Sequence, residues 1–136
     1  MSQNDHLPLS HIKVIEFSHM VMGPSASAVL ADLGADVIKI EPIGGDNTRR
    51  LRGSGAGYFA MYNRNKRSIC IDLKSKQGNA VAKKLISGAD VLIENFRPGA
   101  MAKLALPPHS HSTRPKVRYQ DISTANQFFR YCFPLL

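Results

Sequence analysis

The stretch from 11 to 41, HIKVIEFSHMVMGPSASAVLADLGADVIKIE, has the pattern of a strand, a helix and a second strand. Residues 11–17 and 36–41 are short apolar runs typical of buried strands. Pro24 suits the first helical position, Gly34 suits the helix end, and the predicted apolar stripe comprises Ala28, Val29, Leu30 and Leu33. Because two strands joined by a helix usually pair in parallel, the stretch predicts an α/β fold.

The pattern continues downstream. Residues 67–73 and 90–94 read as further strands, and 75–89 as a helix that Ser75 caps. Its predicted inward residues are Val81, Leu85 and Ile86. Residues 42–67 are rich in glycine and other turn formers, which predicts a long irregular loop with a short helix near its end.

Composition limits the class of protein. The chain has 136 residues, 43% of them hydrophobic, which favours one globular domain. It contains no apolar run long enough to cross a membrane, and its polar start lacks the features of a secretion signal, so we expect a cytoplasmic protein. The two cysteines match neither a disulfide framework nor a metal site, and His109 and His111 lack suitable partners, so we predict no metal.

The formal net charge is +8, and part of it is concentrated in one block. The block has six cations and no acid between its ends: Arg49, Arg50, Arg52, Arg64, Lys66 and Arg67. Such a block is typical of a solvated face, a nucleic-acid patch or a receptor for a phosphorylated small molecule. Composition leaves these three interpretations open.

The candidate site lies where the predicted strands end, because open parallel sheets bind ligands beyond the carboxyl ends of their strands. After 90–94 come Asn95, which can donate and accept hydrogen bonds, Phe96, which can cover an adenine face, and Arg97, which can hold a phosphate. The alternative is an ordinary strand-to-helix turn with a buried phenylalanine. Lys74 similarly follows a strand and meets either a phosphate or solvent, and His19 follows the first strand as a possible active-site loop residue or a structural one.

The loop after the first strand does not carry the usual dinucleotide fingerprint. Its segment, SHMVMGPSAS, has one glycine where G-x-G-x-x-G requires three. Glu41 at the end of the second strand is therefore no indication of NAD.

Several segments together resemble the class III CoA-transferases, the family of formyl-CoA transferase, carnitine CoA-transferase and α-methylacyl-CoA racemase. The segments, in the family's order and spacing, are LSHIKVIEFSHMVMGPSASAVLADLGADVIKIEP, GDNTRR, YNRNKRSICIDLK and ADVLIENFRPGAMAKL. The resemblance covers about residues 8–104. It implies a Rossmann-like parallel sheet that forms the incomplete N-terminal portion of the family fold.

The resemblance also implies coenzyme A or acyl-CoA as a substrate, with no permanently bound cofactor. The family's CoA-contacting positions fall on Val21, Met22, Pro42, Ile71, Asp72, Leu73, Lys74, Asn95, Phe96, Arg97 and Lys103. Pro42 stands where a basic residue often occurs in the family, and Val21 where formyl-CoA transferase has a polar one. The acyl group is therefore not identified.

In the family's transferases an aspartate attacks the acyl-CoA thioester, and CoA then passes between the acyl groups of two carboxylic acids through an acyl-enzyme intermediate. No residue here matches that aspartate, so no catalytic residue is assigned and we expect no turnover by this chain alone. The family's interlocked homodimer is not expected of so short a chain. The alternatives are an acyl-CoA racemase of the same family or a nonenzymatic module that binds nucleotides or nucleic acid, of which nucleic acid is the less expected partner.

The resemblance divides the chain into residues 1–104, the N-terminal part of the family's large domain, and a divergent tail at 105–136. Within that tail, RPKVRYQDIS at 114–123 resembles the family's next strand, after which the pattern is lost. The change predicts a fragment that a truncation or a frameshift has produced.

Overall fold

The fold is built on one sheet of five parallel strands. The computed structural model describes residues 6–106 and 118–121. The sheet has the order β3-β2-β1-β4-β5. The strands are β1 (Lys13–Phe17), β2 (Asp36–Glu41), β3 (Arg67–Cys70), β4 (Val91–Glu94) and β5 (Arg118–Asp121). The predicted α/β, Rossmann-like parallel sheet is confirmed, and the strand predicted within 114–123 is β5.

The strand order reverses at β1, which lies between β2 and β4. Val14 of β1 is in register with Val37 of β2 and also with Val91 of β4. The strand that follows β1 in sequence, β2, lies on one side of this pair, and the strand that follows β4, β5, lies on the other. The topological switch of the sheet is therefore at the carboxyl ends of β1 and β4. Ligands of open α/β sheets bind at such a point.

Helix α1 (Met22–Asp32) follows β1 and packs on one face of the sheet. It begins two residues before the predicted start, so Pro24 lies within the first turn, where the absence of an N–H still costs nothing. The predicted stripe is partly wrong, because Val29 is 56% and Leu33 42% exposed. The helix instead buries its small residues, which allow it to approach the sheet closely: Gly23, Pro24, Ser27, Ala28 and Ala31.

Helix α3 (Lys76–Ser87) lies on the opposite face, and the Ser75 hydroxyl accepts a hydrogen bond from the Gly78 N–H, as the predicted cap requires. Ile86 is buried and Leu85 is partly buried, but Val81 is 45% exposed and its predicted inward orientation is wrong. Ala82, fully buried, occupies that position in the core instead.

The two faces of the sheet have separate cores. On the α1 side, Val14, Val37 and Ile93 pack together with alanines of the helix and its end. The larger core, on the α3 side, contains aliphatic and aromatic residues from the strands and helices: Ile15, Phe17, Ile40, Ile71, Ala82, Ile86, Ala89, Leu92, Met101 and Leu106.

The connection from β2 to β3 contains the predicted short helix, α2 (Tyr58–Tyr62), and two 3₁₀ turns at Asn47–Arg50 and Gly53–Gly55. β3 ends at Cys70 rather than at residue 73, and as the edge strand it is exposed along its length. A last short helix, α4 (Ala100–Lys103), follows β4.

The longest helix in the described ranges, α3, has 12 residues, and no helix there is long and apolar enough to cross a membrane. The predicted divergent tail lies outside the described residues except for Ala105, Leu106 and β5.

Candidate functional site

A cavity of about 750 Å³ opens beyond the carboxyl ends of the strands. The loops after β1, β2, β3 and β4 all contribute to its wall. The predicted site residues in its lining are His19, Pro42, Ile71, Asp72, Leu73, Lys74 and Phe96. Residues far apart in the sequence therefore meet where an open parallel sheet binds its ligands.

A second, smaller groove of about 600 Å³ adjoins this cavity between α3 and α4. The two share Leu73, Lys74 and Leu104 in their linings, so they form one continuous surface. Four lysines line the groove, and we call it the lysine groove: Lys74, Lys76, Lys83 and Lys103. Lys74 and Lys103 were predicted site residues. Lys76 and Lys83 were not predicted from the sequence, although their seven-residue spacing places them on one face of α3.

The loop after β1 is tied to the loop after β4 by a single amide side chain. Asn95 Nδ2 donates to the His19 carbonyl oxygen at 2.9 Å, and the His19 N–H donates to Asn95 Oδ1 at 3.1 Å. The His19 ring also stacks on the Phe96 ring, with centroids 6.0 Å apart. Next to this clamp, Met20 has a φ of 66°, an uncommon conformation for a residue with a side chain. Asn95 thus holds the backbone of this loop, in addition to any contact with a ligand that the sequence predicts.

Replacing Asn95 by aspartate is expected to loosen this loop. The carboxylate keeps the acceptor for the His19 N–H but loses the donor to the His19 carbonyl, a bond worth about 1 kcal/mol. We therefore expect hydrogen exchange at the His19 amide to accelerate about fivefold, as measured by NMR. The Ala35 amide, which donates to the Leu30 carbonyl at the other end of α1, is the internal control. Unchanged exchange at His19 would show that Asn95 does not hold the loop.

Other predicted residues lie outside the linings of both spaces. Val21 and half-buried Asn95 stand beside the cavity loops, while Met22 and Arg97 are exposed. Their contact with a ligand stays a prediction. Gly99, with a φ of 81°, makes the left-handed turn into α4.

A buried group of charged residues, which we call the charge cluster, underlies α1 and the first loop. It comprises Glu16, Lys39, Asp46 and Lys66. The Glu16 carboxylate meets Lys39 Nζ at 3.1 Å and Lys66 Nζ at 2.9 Å, and Lys39 Nζ meets Asp46 Oδ2 at 3.2 Å. Two positive and two negative charges therefore balance inside the protein.

Hydroxyl and carbonyl groups complete the charge cluster. Ser27 Oγ donates to Glu16 Oε2 at 2.6 Å, and Ser18 Oγ donates to Glu16 Oε1. Lys66 Nζ also donates to the Pro24 carbonyl oxygen at 2.8 Å, and so joins the connection before β3 to the first turn of α1. Each ammonium group thus has hydrogen-bond acceptors that offset part of its desolvation.

The surroundings shift the pKa values of the charge cluster. Burial acts to raise the pKa of Glu16, but Lys39, Lys66 and the two serine hydroxyls outweigh it, and the pKa lies below its ordinary value. Burial likewise opposes the lowered pKa of Asp46, which hydrogen bonds from Thr48 and the charge of Lys39 produce. Burial is the main cause of the lowered pKa of Lys66, and Glu16 opposes it. Both carboxyl groups are therefore ionised at neutral pH.

Glu41, at the cavity wall, is held by an arginine of the basic block. Arg49 donates from Nε to Glu41 Oε2 at 2.8 Å and from Nη2 to Oε1 at 2.6 Å, and its guanidinium lies 3.7 Å from the Phe59 ring centroid. Burial acts to raise the pKa of Glu41, but these bonds and that from the Asp46 N–H keep it low. Glu41 is therefore a structural anion that Arg49 holds in place.

Most of the basic block is paired within the chain. Besides Arg49, Lys66 pairs with Glu16, Arg64 with Asp32, and Arg67 with Asp36. Arg50 donates to the Gly44 carbonyl and to Asn47. The sequence left open whether this block receives a phosphate, and the structure gives four of its cations carboxylate partners instead.

Comparison with known proteins finds a match to CoA-transferase family III over residues 9–124. The succinate–glutarate CoA-transferase of Agrobacterium fabrum is 42% identical over 132 residues. The alignment covers 88% of this chain and 33% of that protein. The formyl-CoA:oxalate CoA-transferase of an Escherichia coli strain is 43% identical over 121 residues, which cover 85% of this chain and 29% of the relative. The chain therefore spans about a third or less of the length of these relatives.

Solved structures agree with the fold. A crystal structure of the Mycobacterium tuberculosis protein Rv3272 superposes with a TM-score of 0.77 at 42% identity and covers 83% of this chain and 32% of that one. A CAIB/BAIF family protein from Brucella suis gives a TM-score of 0.73 at 38% identity, with the same two shares. The parallel sheet and its helices are therefore shared with experimentally determined proteins.

Proposed function

The chain belongs to CoA-transferase family III, and from this premise we propose that its cavity and lysine groove together bind coenzyme A or an acyl-CoA. The family uses CoA thioesters as substrates. The observation that carries the proposal is the convergence of predicted CoA positions from three loops on the continuous surface: Pro42, Ile71, Asp72, Leu73, Lys74, Phe96 and Lys103.

The chemistry of the surface suits the two halves of such a ligand. The cavity offers Ile40, Ile43, Ile71 and Phe96, against which an adenine base or a pantetheine arm can pack. The adjoining groove offers ammonium groups, which bind phosphate as point charges. Asn95 positions the loop that contains His19 at the wall of the cavity.

For the whole protein we propose transfer of CoA between acyl groups of two carboxylic acids through an acyl-enzyme intermediate, in the cytoplasm. The relatives named as succinate–glutarate and formyl-CoA:oxalate CoA-transferases support this reaction class. No residue of this chain is assigned as the nucleophile. We assign to the residues of the cavity and the lysine groove the binding and orientation of the CoA portion of the substrate and the exclusion of water from it.

A titration of the full chain with CoA tests the binding proposal. We expect calorimetry to give saturable binding of CoA and no comparable binding of a double-stranded DNA oligomer, because the basic block is largely paired with carboxylates. DNA binding that falls steeply with salt, together with no heat from CoA, would instead support a nucleic-acid module. Circular dichroism before each titration confirms that the chain is folded.

A further inference from the structure

The lysine groove collects positive charge from three separate segments. Lys74 lies in the connection after β3, Lys76 and Lys83 lie on α3, and Lys103 ends α4. The two lysines of α3 are seven residues apart, which places them on the same side of the helix two turns apart. Four ammonium groups therefore surround one space of about 600 Å³.

The described part of the chain gives the groove no counter-charge of its own. Among residues 6–106 and 118–121, no carboxylate is part of its lining. Within residues 6–106, the ion pairs of the chain use Lys39, Lys66 and three arginines, and none of them uses a lysine of the groove. Asp72, two residues before Lys74, lines the neighbouring cavity, where its Oδ1 accepts the Lys74 N–H at 3.0 Å. Four like charges with no anion among them produce a positive potential that an anionic ligand relieves.

The walls of the groove are fixed by hydrogen bonds. Asn79 Nδ2 donates to the carbonyl oxygen of Leu104 after α4 and, at 3.5 Å, to that of Leu73 before α3. Ser75 caps α3 and its hydroxyl also donates to the Asp72 carbonyl oxygen at 2.9 Å. One side chain of α3 therefore connects all three segments that carry the lysines, so the groove is built into the fold.

We propose that the lysine groove binds a phosphate group of the ligand whose remainder occupies the adjoining cavity, and that Lys76 and Lys83 contact this phosphate together with Lys74 and Lys103. The inference rests on the proposed function and adds two binding residues to it. Both additional lysines are exposed, so their contribution is a charge effect that depends on ionic strength.

Charge-neutral substitutions on α3 test the inference in the full chain. We expect Lys76→Gln and Lys83→Gln each to weaken CoA binding about threefold to fivefold at low salt, and the double variant about tenfold or more. Lys84→Gln is the matched control, because Lys84 is next to Lys83 on the same helix but lines a different groove. Its affinity should stay within about twofold of the original.

Three ligands identify the group that is bound. Pantetheine, which has no phosphate, should bind the original chain and both variants equally. If 3′-dephospho-CoA is insensitive to the two substitutions, the groove holds the 3′-phosphate; if it loses affinity as CoA does, the groove holds the diphosphate. Equal affinity of CoA for the original chain and the double variant would overturn the inference while leaving the proposed function intact.

Inorganic pyrophosphate provides a readout that does not require CoA binding. We expect NMR titration with pyrophosphate to shift the backbone amides around Lys76 and Lys103, and to shift them less in the double variant. If these shifts occur in a chain that does not bind CoA, the proposed function fails and the phosphate site stands. If neither pyrophosphate nor CoA perturbs these amides, the inference fails.

Discussion

Replacing Glu16 by glutamine is expected to lower the free energy of unfolding by about 3–5 kcal/mol, the usual cost of removing one partner from a buried ion pair. Glutamine has nearly the same shape, so the change removes charge and little packing. Lys66 loses the carboxylate at 2.9 Å, and Lys39 keeps the Asp46 carboxylate at 3.2 Å and the Ser18 carbonyl oxygen at 2.7 Å. The charge cluster then carries two ammonium groups and one carboxylate, and the uncompensated charge destabilises the fold.

The pH dependence of this deficit follows from the lowered pKa of Glu16. A carboxyl group whose pKa is lower in the folded state than its ordinary value of 4.5 contributes stability above that value, and the contribution is lost as the pH falls through the folded pKa. The variant lacks this contribution at every pH. Its deficit relative to the original chain should therefore be largest near neutral pH and should shrink below about pH 4.

Urea unfolding followed by circular dichroism measures the effect, and Asp36→Asn is the matched control. Asp36 also pairs with a cation across neighbouring strands, at 2.6 Å from Arg67, but both side chains are substantially exposed. Removing that charge should cost about 1 kcal/mol or less, because exposed pairs contribute little. Similar losses for the two variants would mean that burial does not strengthen the charge cluster.

The charge cluster also shows where sequence reasoning reaches its limit in this fold. Alternation in β1 and β2 assigns Glu16 and Lys39 to the face that also carries Val14 and Val37, and neighbouring strands place the two charges side by side. A strand covered on both faces has no solvent for such side chains, so adjacent opposite charges indicate a buried pair. The sequence therefore contained a signal for the pair of Glu16 and Lys39. The second partner of Glu16, Lys66, is 50 residues away in the sequence and cannot be predicted from the local pattern.

The strands were predictable because each is a short apolar run between turn formers, whereas the buried sides of the helices were not. Val29 and Val81 fit a helical period but are exposed, because α1 and α3 approach the sheet through Ala28, Ala31 and Ala82. Periodicity ranks residues by hydrophobicity, while close packing on a sheet selects for size. The site was also only partly predictable. A family resemblance suggested Lys74 and Lys103, but only the tertiary structure, in which α3 and α4 border one groove, adds Lys76 and Lys83 to them.

Replacing Gly78 by alanine is expected to destabilise the protein by about 1–2 kcal/mol and to disrupt the lysine groove. A Cβ atom at this position would lie 2.1 Å from the Asp72 carbonyl oxygen and 2.9 Å from Ser75 Oγ. Since the first neighbour is backbone, either α3 or the turn before it must move. The cost of such crowding, typically 1–3 kcal/mol, exceeds the gain of up to about 1 kcal/mol that alanine brings within a helix.

That movement should affect ligand binding more than overall fold. The Asp72 carbonyl also accepts the Ser75 N–H at 3.1 Å and the Ser75 hydroxyl, so the displaced turn carries both the cap of α3 and Lys74. We expect Gly78→Ala to weaken CoA binding about tenfold or more, beyond the loss from Lys76→Gln alone, because misplacing one turn disturbs several phosphate contacts together. Calorimetry with CoA and urea unfolding on the same preparation separate the two effects.

Gly88→Ala is the control for this substitution, because Gly88 caps the other end of α3. There a Cβ atom would meet its nearest neighbour, the Leu85 carbonyl oxygen, at 3.7 Å, which is ordinary van der Waals contact. Its φ of −96° is also accessible to alanine, so this variant should keep both the stability and the CoA affinity of the original chain. If Gly78→Ala is as well tolerated as Gly88→Ala, the turn at Asp72 can move without loss of stability. The lysine groove then does not depend on the close contact between Gly78 and the Asp72 carbonyl group.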